Sequence, residues 1–256
     1  MGYIERNDKG MYTILTMNRP KVNALNMELV EEIRASFRDI ESEEKTRGVI
    51  LTGTANVFSA GLDLVQLYGY NEEEIRAFFI SFGTMYIELA RFTKPFICAI
   101  NGHSPAGGTV IAVTADYRIM AEGEKFRVGL NEVAVNVQIT NNLINAYSFW
   151  LGRSLAYKYI LEGKLLNNKE ALAANLVDEV VSQDKLMMHA ESRMKHYMQA
   201  DPDILVNTKS KLRKPLLDGI LEGSDADLEE TLKVWWSPEV RTKMQWFIAM
   251  LKAKKG

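Results

Sequence analysis

The sequence predicts an α/β fold that turns helical in its last third. From Tyr3 to Met120, short apolar and β-branched runs alternate with segments of helical spacing, the alternation that builds mostly parallel sheets flanked by helices. From Ile139 onward the spacing is almost wholly helical, with one strand-like run at Leu176–Val181. No low-complexity stretch breaks the 256 residues. The expected organisation is therefore a core domain over residues 1–200 and a helical C-terminal region over 201–256.

Each element has a local reason. Tyr12, Ile14 and Thr16 alternate with Thr13, Leu15 and Met17 after the turn signal Asn7-Asp8-Lys9-Gly10, which predicts a hairpin over 3–17. Asn26 is placed to cap a helix with apolar residues at 29, 30, 33, 37 and 40. Gly48-Val49-Ile50-Leu51-Thr52 reads as a buried strand. Asn71 and three glutamates open a long helix with Ile75, Phe78, Phe79, Phe82, Met85, Tyr86 and Leu89 inward; acids are favoured at the positive end of a helix dipole. Pro95 ends that helix and precedes a strand at 96–100. A short helix begins near Gly107, and another strand covers Tyr117–Met120. Pro202, Pro215 and Pro238 punctuate the C-terminal helices.

Composition narrows the function classes. Apolar residues make up 47%, enough for a sizeable core, and the net charge of −2, with acids and bases interspersed, leaves no footprint for a nucleic acid or an anionic membrane. No apolar run is long enough to span a bilayer, and no leader pattern precedes Tyr3. The expected location is the cytoplasm, or the mitochondrial matrix for a processed eukaryotic form. Cys98, inside Phe96-Ile97-Cys98-Ala99-Ile100, reads as a small buried hydrophobe. His189 and His196 lack a clear third ligand and His103 stands alone, so no metal site is expected. A phosphate-binding loop of nucleotide type and a dinucleotide fingerprint are both missing from the sequence.

Three segments leave strands and carry small residues where a backbone can approach a ligand. They are Phe58-Ser59-Ala60-Gly61-Leu62-Asp63-Leu64, Asn101-Gly102-His103-Ser104-Pro105-Ala106-Gly107-Gly108, and Val128-Gly129-Leu130-Asn131-Glu132-Val133. Gly107-Gly108 leads into an apolar helix whose first N–H groups have no intrahelical partner. The pair is either half of an oxyanion hole or a turn that needs glycine for its geometry. Ala60-Gly61-Leu62 offers the same option, with Asp63 as a helix cap rather than a catalyst. Glu132, amid apolar neighbours, is either a desolvated carboxylate with its pKa raised toward a general base's range or a surface glutamate.

Taken together, the segments resemble the signature of the crotonase (enoyl-CoA hydratase/isomerase) family. Phe58–Asp63, then Lys94-Pro95, Ala99-Ile100-Asn101-Gly102 and Ala106-Gly107-Gly108 follow in the family's order. The likeness extends from Asn18-Arg19-Pro20 and Asn23-Ala24-Leu25 to the Lys-rich C-terminus. Arg47–Thr52, Asp116-Tyr117-Arg118-Ile119 and Gly129-Leu130-Asn131-Glu132 are most similar to the mitochondrial-type 3,2-enoyl-CoA isomerases of the family.

The resemblance implies a spiral of ββα units with a helical C-terminal trimerisation region, hence a homotrimer or a dimer of trimers. The apolar Val234, Trp235, Trp236, Trp246, Phe247 and Leu251 either form such a surface or fold back on their own core. It implies an acyl-CoA substrate, with coenzyme A entering as part of it and no permanently bound cofactor. It also implies an oxyanion hole from the N–H groups of Leu62 and Gly107. Ala60, Gly61, Leu62, Asp63, Leu64, Gly107 and Asn131 would lie along the substrate, and Glu132 would be the catalytic carboxylate. Hydratases of the family use two glutamates, and the first falls here on Val110, which cannot carry a proton. The implied reaction is isomerisation of 3-enoyl-CoA to 2-trans-enoyl-CoA in fatty-acid β-oxidation. Other acyl-CoA chemistries on this fold, namely hydratase, thioesterase and racemase-like reactions, and a non-catalytic binding protein are the alternatives. After Glu132, the stretch Val133–Asn142 replaces a Gly-rich one. Its amides and threonine either line an acyl pocket, favouring a polar or short acyl group, or serve as helix-cap and surface residues.

Overall fold

The computed structural model describes residues 2–135, 137–222 and 224–253, with the side chains of 135, 224, 225 and 251–253 outside the described set. The chain opens with the hairpin β1 (Ile4–Asp8) and β2 (Thr13–Met17), paired antiparallel. Helix α1 (Met27–Ser42) starts where Asn26 accepts the Leu29 N–H at 3.1 Å, and its buried face is Leu29, Val30, Ile33, Phe37 and Ile40, the five positions the spacing selects. After β3 (Val49–Thr52) comes the one-turn helix α2 (Leu64–Leu67), then α3 (Glu72–Arg91), started by a reciprocal capping box between Asn71 and Glu74. Next are β4 (Phe96–Ile100), the two-residue β5 (Ser104–Pro105), α4 (Gly107–Ala112), β6 (Tyr117–Ala121) and the two-residue β7 (Val128–Gly129). The remainder comprises α5 (Asn141–Leu151), α6 (Arg153–Leu161), α7 (Asn168–Ala173), β8 (Glu179–Val181), α8 (Leu186–Tyr197), α9 (Pro202–Leu221), α10 (Ser224–Trp235) and α11 (Pro238–Ala253).

The main sheet runs β1-β2-β3-β4-β6-β8, parallel throughout after the hairpin, while β5 and β7 pair separately. Strands covered on both faces need apolar residues at consecutive positions, because successive side chains point to opposite sides. Val49, Leu51, Phe96 and Cys98 enter the main core, whereas Ile50, Ile97 and Ile119 face a smaller core under α8. The apolar run around Cys98 is this two-sided burial. Helices α9 to α11 join the main core through Leu216, Ile220, Leu232, Trp235 and Met244. Because β3 and β4 are parallel neighbours, the turns leaving them emerge at one edge of the sheet, side by side.

Some expectations need correction. The strand at Leu176–Val181 shortens to Glu179–Val181, because Leu176 and Val177 give their N–H groups to the Ala171 carbonyl at the end of α7 (2.9 and 3.3 Å) instead of to the sheet. Pro215 does not interrupt α9. Lys211 and Pro215 are both exposed, so the carbonyl that proline leaves without a donor is open to solvent. Phe79 and Phe82 are only half-buried and line a cleft. Of the C-terminal apolar set, Trp235 is buried edge-on against Phe79 (5.4 Å between centroids), Val234, Trp236 and Phe247 are half-buried, and Trp246 is exposed. The side chain of Leu251 lies outside the described residues.

Phe37 ties α1 to the chain around β4, meeting Phe92 and Phe96 edge-on at 5.0 and 4.9 Å. Phe37→Ala is expected to cost about 3–5 kcal/mol of unfolding free energy. Urea denaturation measures it, and a loss below about 1 kcal/mol would mean that the cluster relaxes around the cavity.

Candidate active site

The turn after β3 folds back on residues 22–25. Ala60 N–H donates to the Val22 carbonyl (3.0 Å), Leu25 N–H to the Gly61 carbonyl (2.8 Å) and Asp63 N–H to the Leu25 carbonyl (2.9 Å). In a planar trans peptide the carbonyl and the following N–H point in opposite directions. With the Gly61 carbonyl held by Leu25, the Leu62 N–H points the other way, and no backbone carbonyl among the described residues accepts it. The same rule acts at α4. The Ala106 carbonyl accepts Val110 N–H inside the helix (2.9 Å), so the Gly107 N–H points out of the helix start, also without a backbone acceptor among the described residues.

The two turns touch. Gly61 has φ +84°, and a Cβ there would lie 3.1 Å from Ala106 Cβ and 3.4 Å from Gly107 N. A Cβ on Gly107 would meet Leu25 Cδ1 at 2.7 Å and Gly61 Cα at 3.3 Å. Glycine is needed at 61 for conformation and at 107 for the approach. Ala106 between them holds φ +47° and ψ −118°, a backbone state costing on the order of 1–3 kcal/mol for a residue with a Cβ. Its N–H is anchored on the Gly129 carbonyl at 2.9 Å.

The third segment is fastened by Thr109. Its fully buried hydroxyl donates to the Ser104 carbonyl (2.7 Å) and accepts from Gly129 N–H (2.8 Å), tying α4 to both short strands. Three residues past Gly129 stands Glu132. It is 7% exposed, and its Oε2 is buried with no hydrogen-bond partner. Burial pushes its pKa from the ordinary 4.5 up to about 7, partly opposed by a hydrogen bond from its own backbone. Glu132 is a desolvated carboxylate, not a surface one.

A cleft of about 1010 Å³ gathers these pieces. Ala60, Leu62, Asp63, Leu64, Gly107 and Asn131 line it together with Glu132, and so does Val110, one turn into α4. Gly61 does not; its part is the contact with Ala106 and Gly107. Two other carboxylates reach the cleft, and both are engaged. Asp63 caps α2 through Gln66 N–H (3.1 Å) and pairs with Arg19 (2.7 Å). Asp227 accepts the backbone N–H and the side-chain amide of Asn141 at 2.9 and 3.0 Å. From the stretch after Glu132, Val137, Gln138, Thr140 and Asn142 line the cleft, while Asn136 lies outside the described residues.

Sequence reasoning missed part of the wall. His103 lines the cleft, its pKa lowered by burial and then by Arg127. Leu228 and Thr231 of α10 and Phe247 of α11 close the side that faces α3. The one signal was in α3, where the inward set was wider than a core-facing stripe requires; the surplus Phe79 and Phe82 face the cleft. Among the described residues, no three His, Cys, Asp or Glu side chains gather as a metal-ligand set, and no helix is long and apolar enough to cross a membrane.

The enoyl-CoA hydratase/isomerase family model matches residues 7–254. The chain is 32% identical to the mitochondrial enoyl-CoA delta isomerase 1 of Rattus norvegicus, over 99% of this chain and 88% of that protein. It is also 32% identical to the short-chain-enoyl-CoA hydratase of Clostridium acetobutylicum, over 72% of this chain and 70% of the other. The crystal structure of human mitochondrial delta3-delta2-enoyl-CoA isomerase superposes with a TM-score of 0.95 at 27% identity, covering 99% of this chain and 100% of that one. The fold is thus of crotonase type. The chain belongs to the enoyl-CoA hydratase/isomerase family.

Thr109→Val removes the hydroxyl that serves both Ser104 and Gly129 while keeping the shape. Leaving those buried backbone groups unpaired is expected to cost about 1–3 kcal/mol. A denaturation midpoint unchanged from the parent protein would show that the rivet is dispensable.

Proposed function

We propose that this protein is a 3,2-enoyl-CoA isomerase, moving the double bond of a 3-enoyl-CoA to the 2-trans position. One observation carries the reading: the cleft holds Glu132, a carboxylate with an unpartnered oxygen and a pKa near neutrality, and presents Val110 on α4 where a two-acid hydratase needs its other glutamate. The thioester oxygen would sit between the N–H groups of Leu62 and Gly107. Glu132 would take a proton from C2, the charge would spread onto the thioester oxygen as a dienolate, and the same carboxyl would return the proton at C4. Each oxyanion donor typically contributes about 10²–10³ in rate and a positioned base about 10²–10⁴. Asn131, beside Glu132 on the cleft, and the backbone of Ala60, Asp63 and Leu64 would flank the thioester, and Lys21 on the cleft wall suits the anionic coenzyme.

This reading places the reaction in fatty-acid β-oxidation, in the mitochondrial matrix or the cytoplasm; the mitochondrial isomerase of Rattus norvegicus supports the first of the two locations. The same reading includes a homotrimer or a dimer of trimers. The exposed Ile204, Leu212 and Trp246 support an assembly surface, and a monomeric mass at micromolar concentration would refute it. Hydration is the second reading, favoured by the Clostridium relative; it requires an acid that Val110 does not supply.

Incubation with 3-enoyl-CoA should yield 2-trans-enoyl-CoA, identified by NMR, with little 3-hydroxyacyl-CoA formed from 2-enoyl-CoA. Efficient hydration would overturn the assignment. Glu132→Gln should abolish turnover while retaining acyl-CoA binding, because the amide keeps the shape but accepts no proton.

The pH dependence follows from the raised pKa. The base must be ionised in the free enzyme, so kcat/KM should fall as pH drops below about 7. Stability runs the opposite way. The folded state holds this proton more tightly than the unfolded chain, so ionisation costs the fold progressively between about 4.5 and 7 and fully above. Glu132→Gln should therefore be more stable than the parent at pH 8, by at most about 3 kcal/mol, and a thermal melt that shows it less stable would contradict the buried, unpaired state of the carboxylate.

A further inference from the structure

Next to the cleft lies a second cavity of about 10 Å³, which shares Phe79, Val137, Gln138 and Thr231 with it. That is room for about one water or one oxygen-bearing group. Most of the small cavity's lining is apolar, with Val234, Val240 and Met244 completing it, but three hydrogen-bonding side chains interrupt it. Thr231 Oγ1 and Trp235 Nε1 are buried without a partner, in residues 9% and 2% exposed. They stand four residues apart on α10, hence on one face. Thr231 does not take the usual option of bonding the Asp227 carbonyl one turn earlier. The Gln138 amide, on the boundary between the two cavities, makes no hydrogen bond among the described residues.

An indole N–H can only donate, and a threonine hydroxyl donates readily. A hydrocarbon in this corner leaves both donors unpaired, whereas an oxygen offers them an acceptor. Asp227, one turn before Thr231 and also on the cleft, opposes a carboxylate and leaves a neutral oxygen as the fitting group. We propose that Thr231, Trp235 and Gln138 form an oxygen-recognition subsite of the acyl cleft, selecting acyl chains that carry a hydroxyl or keto oxygen over plain hydrocarbons of the same length. The inference rests on the acyl-CoA reading above and names the substrate class of the same site.

The test uses binding of unreactive ligands, so it does not depend on turnover. The full chain is titrated calorimetrically with saturated acyl-CoAs in matched pairs, methyl-ended against ω-hydroxy and keto-bearing, across a series of lengths. At the length that reaches the subsite, the oxygenated ligand should bind about tenfold more tightly, and Thr231→Val and Trp235→Phe should each reduce that preference to within about twofold. Equal binding at every length, or a preference that both variants retain, overturns the proposal and leaves the small cavity as the seat of a structural water. A preference without conversion of any 3-enoyl-CoA sinks the isomerase reading and keeps the subsite. Conversion without a preference does the reverse, and failure of every acyl-CoA to bind overturns both.

Discussion

The close approach of the Gly61 turn to the start of α4 is the constraint on which the rest of the site depends. Two parallel strands, β3 and β4, deliver their outgoing turns to the same edge, and the two turns meet at contacts that leave no room for a Cβ at 107. With the Gly61 and Ala106 carbonyls already bound to Leu25 and Val110, the opposite ends of those peptides are free by geometry. The donors are thus a by-product of how the backbone is satisfied on its other side. A site built from backbone groups depends on the path of the chain more than on most of the side chains around it.

Fixing two turns does not position the proposed base. Glu132 belongs to a third segment, and Thr109 links that segment to the first two by serving a carbonyl before α4 and an N–H before Glu132. The strained Ala106 is held from the same side, through Gly129. Small strands β5 and β7 therefore matter beyond their length. They tie the segment that carries Glu132 to the turn before α4, which a loop alone would leave loose.

Much of this was legible in the sequence because it repeats at short range. Helix α1 showed its buried face in spacing and its start in Asn26; α3 showed its start in Asn71 and the three glutamates; β3 and β4 showed two-sided burial in unbroken apolar runs. The three chemical segments were legible as turns, and Glu132 stood out only because they occur together. What escaped was set by long-range partners. Nothing local says that Leu176 and Val177 bond to Ala171, that Pro215 lies where water can serve Lys211, or that Thr231 and Phe247 return to a cleft formed by residues far earlier in the chain. The C-terminal aromatics were legible as apolar but not as to what they cover. Trp235 covers Phe79, and Phe247 reaches the cleft.

The same desolvation that raises the pKa of Glu132 also strengthens the two N–H donors, since a charge developing in a low-dielectric cleft feels a fixed dipole more than it would in water. The fold therefore bears a cost whenever Glu132 is ionised, because one of its oxygens is buried without a partner, and on the proposed reading that cost is relieved when the carboxylate takes a proton from the substrate. A second acid at position 110 would change this balance. It would lie on the same cleft, and two carboxylates at close range cannot both remain ionised cheaply. One would keep a proton ready for addition across a double bond. With Val110 there, α4 offers the cleft no such second acid, and on the proposed reading the single carboxyl of Glu132 takes a proton from one substrate carbon and gives it back at another.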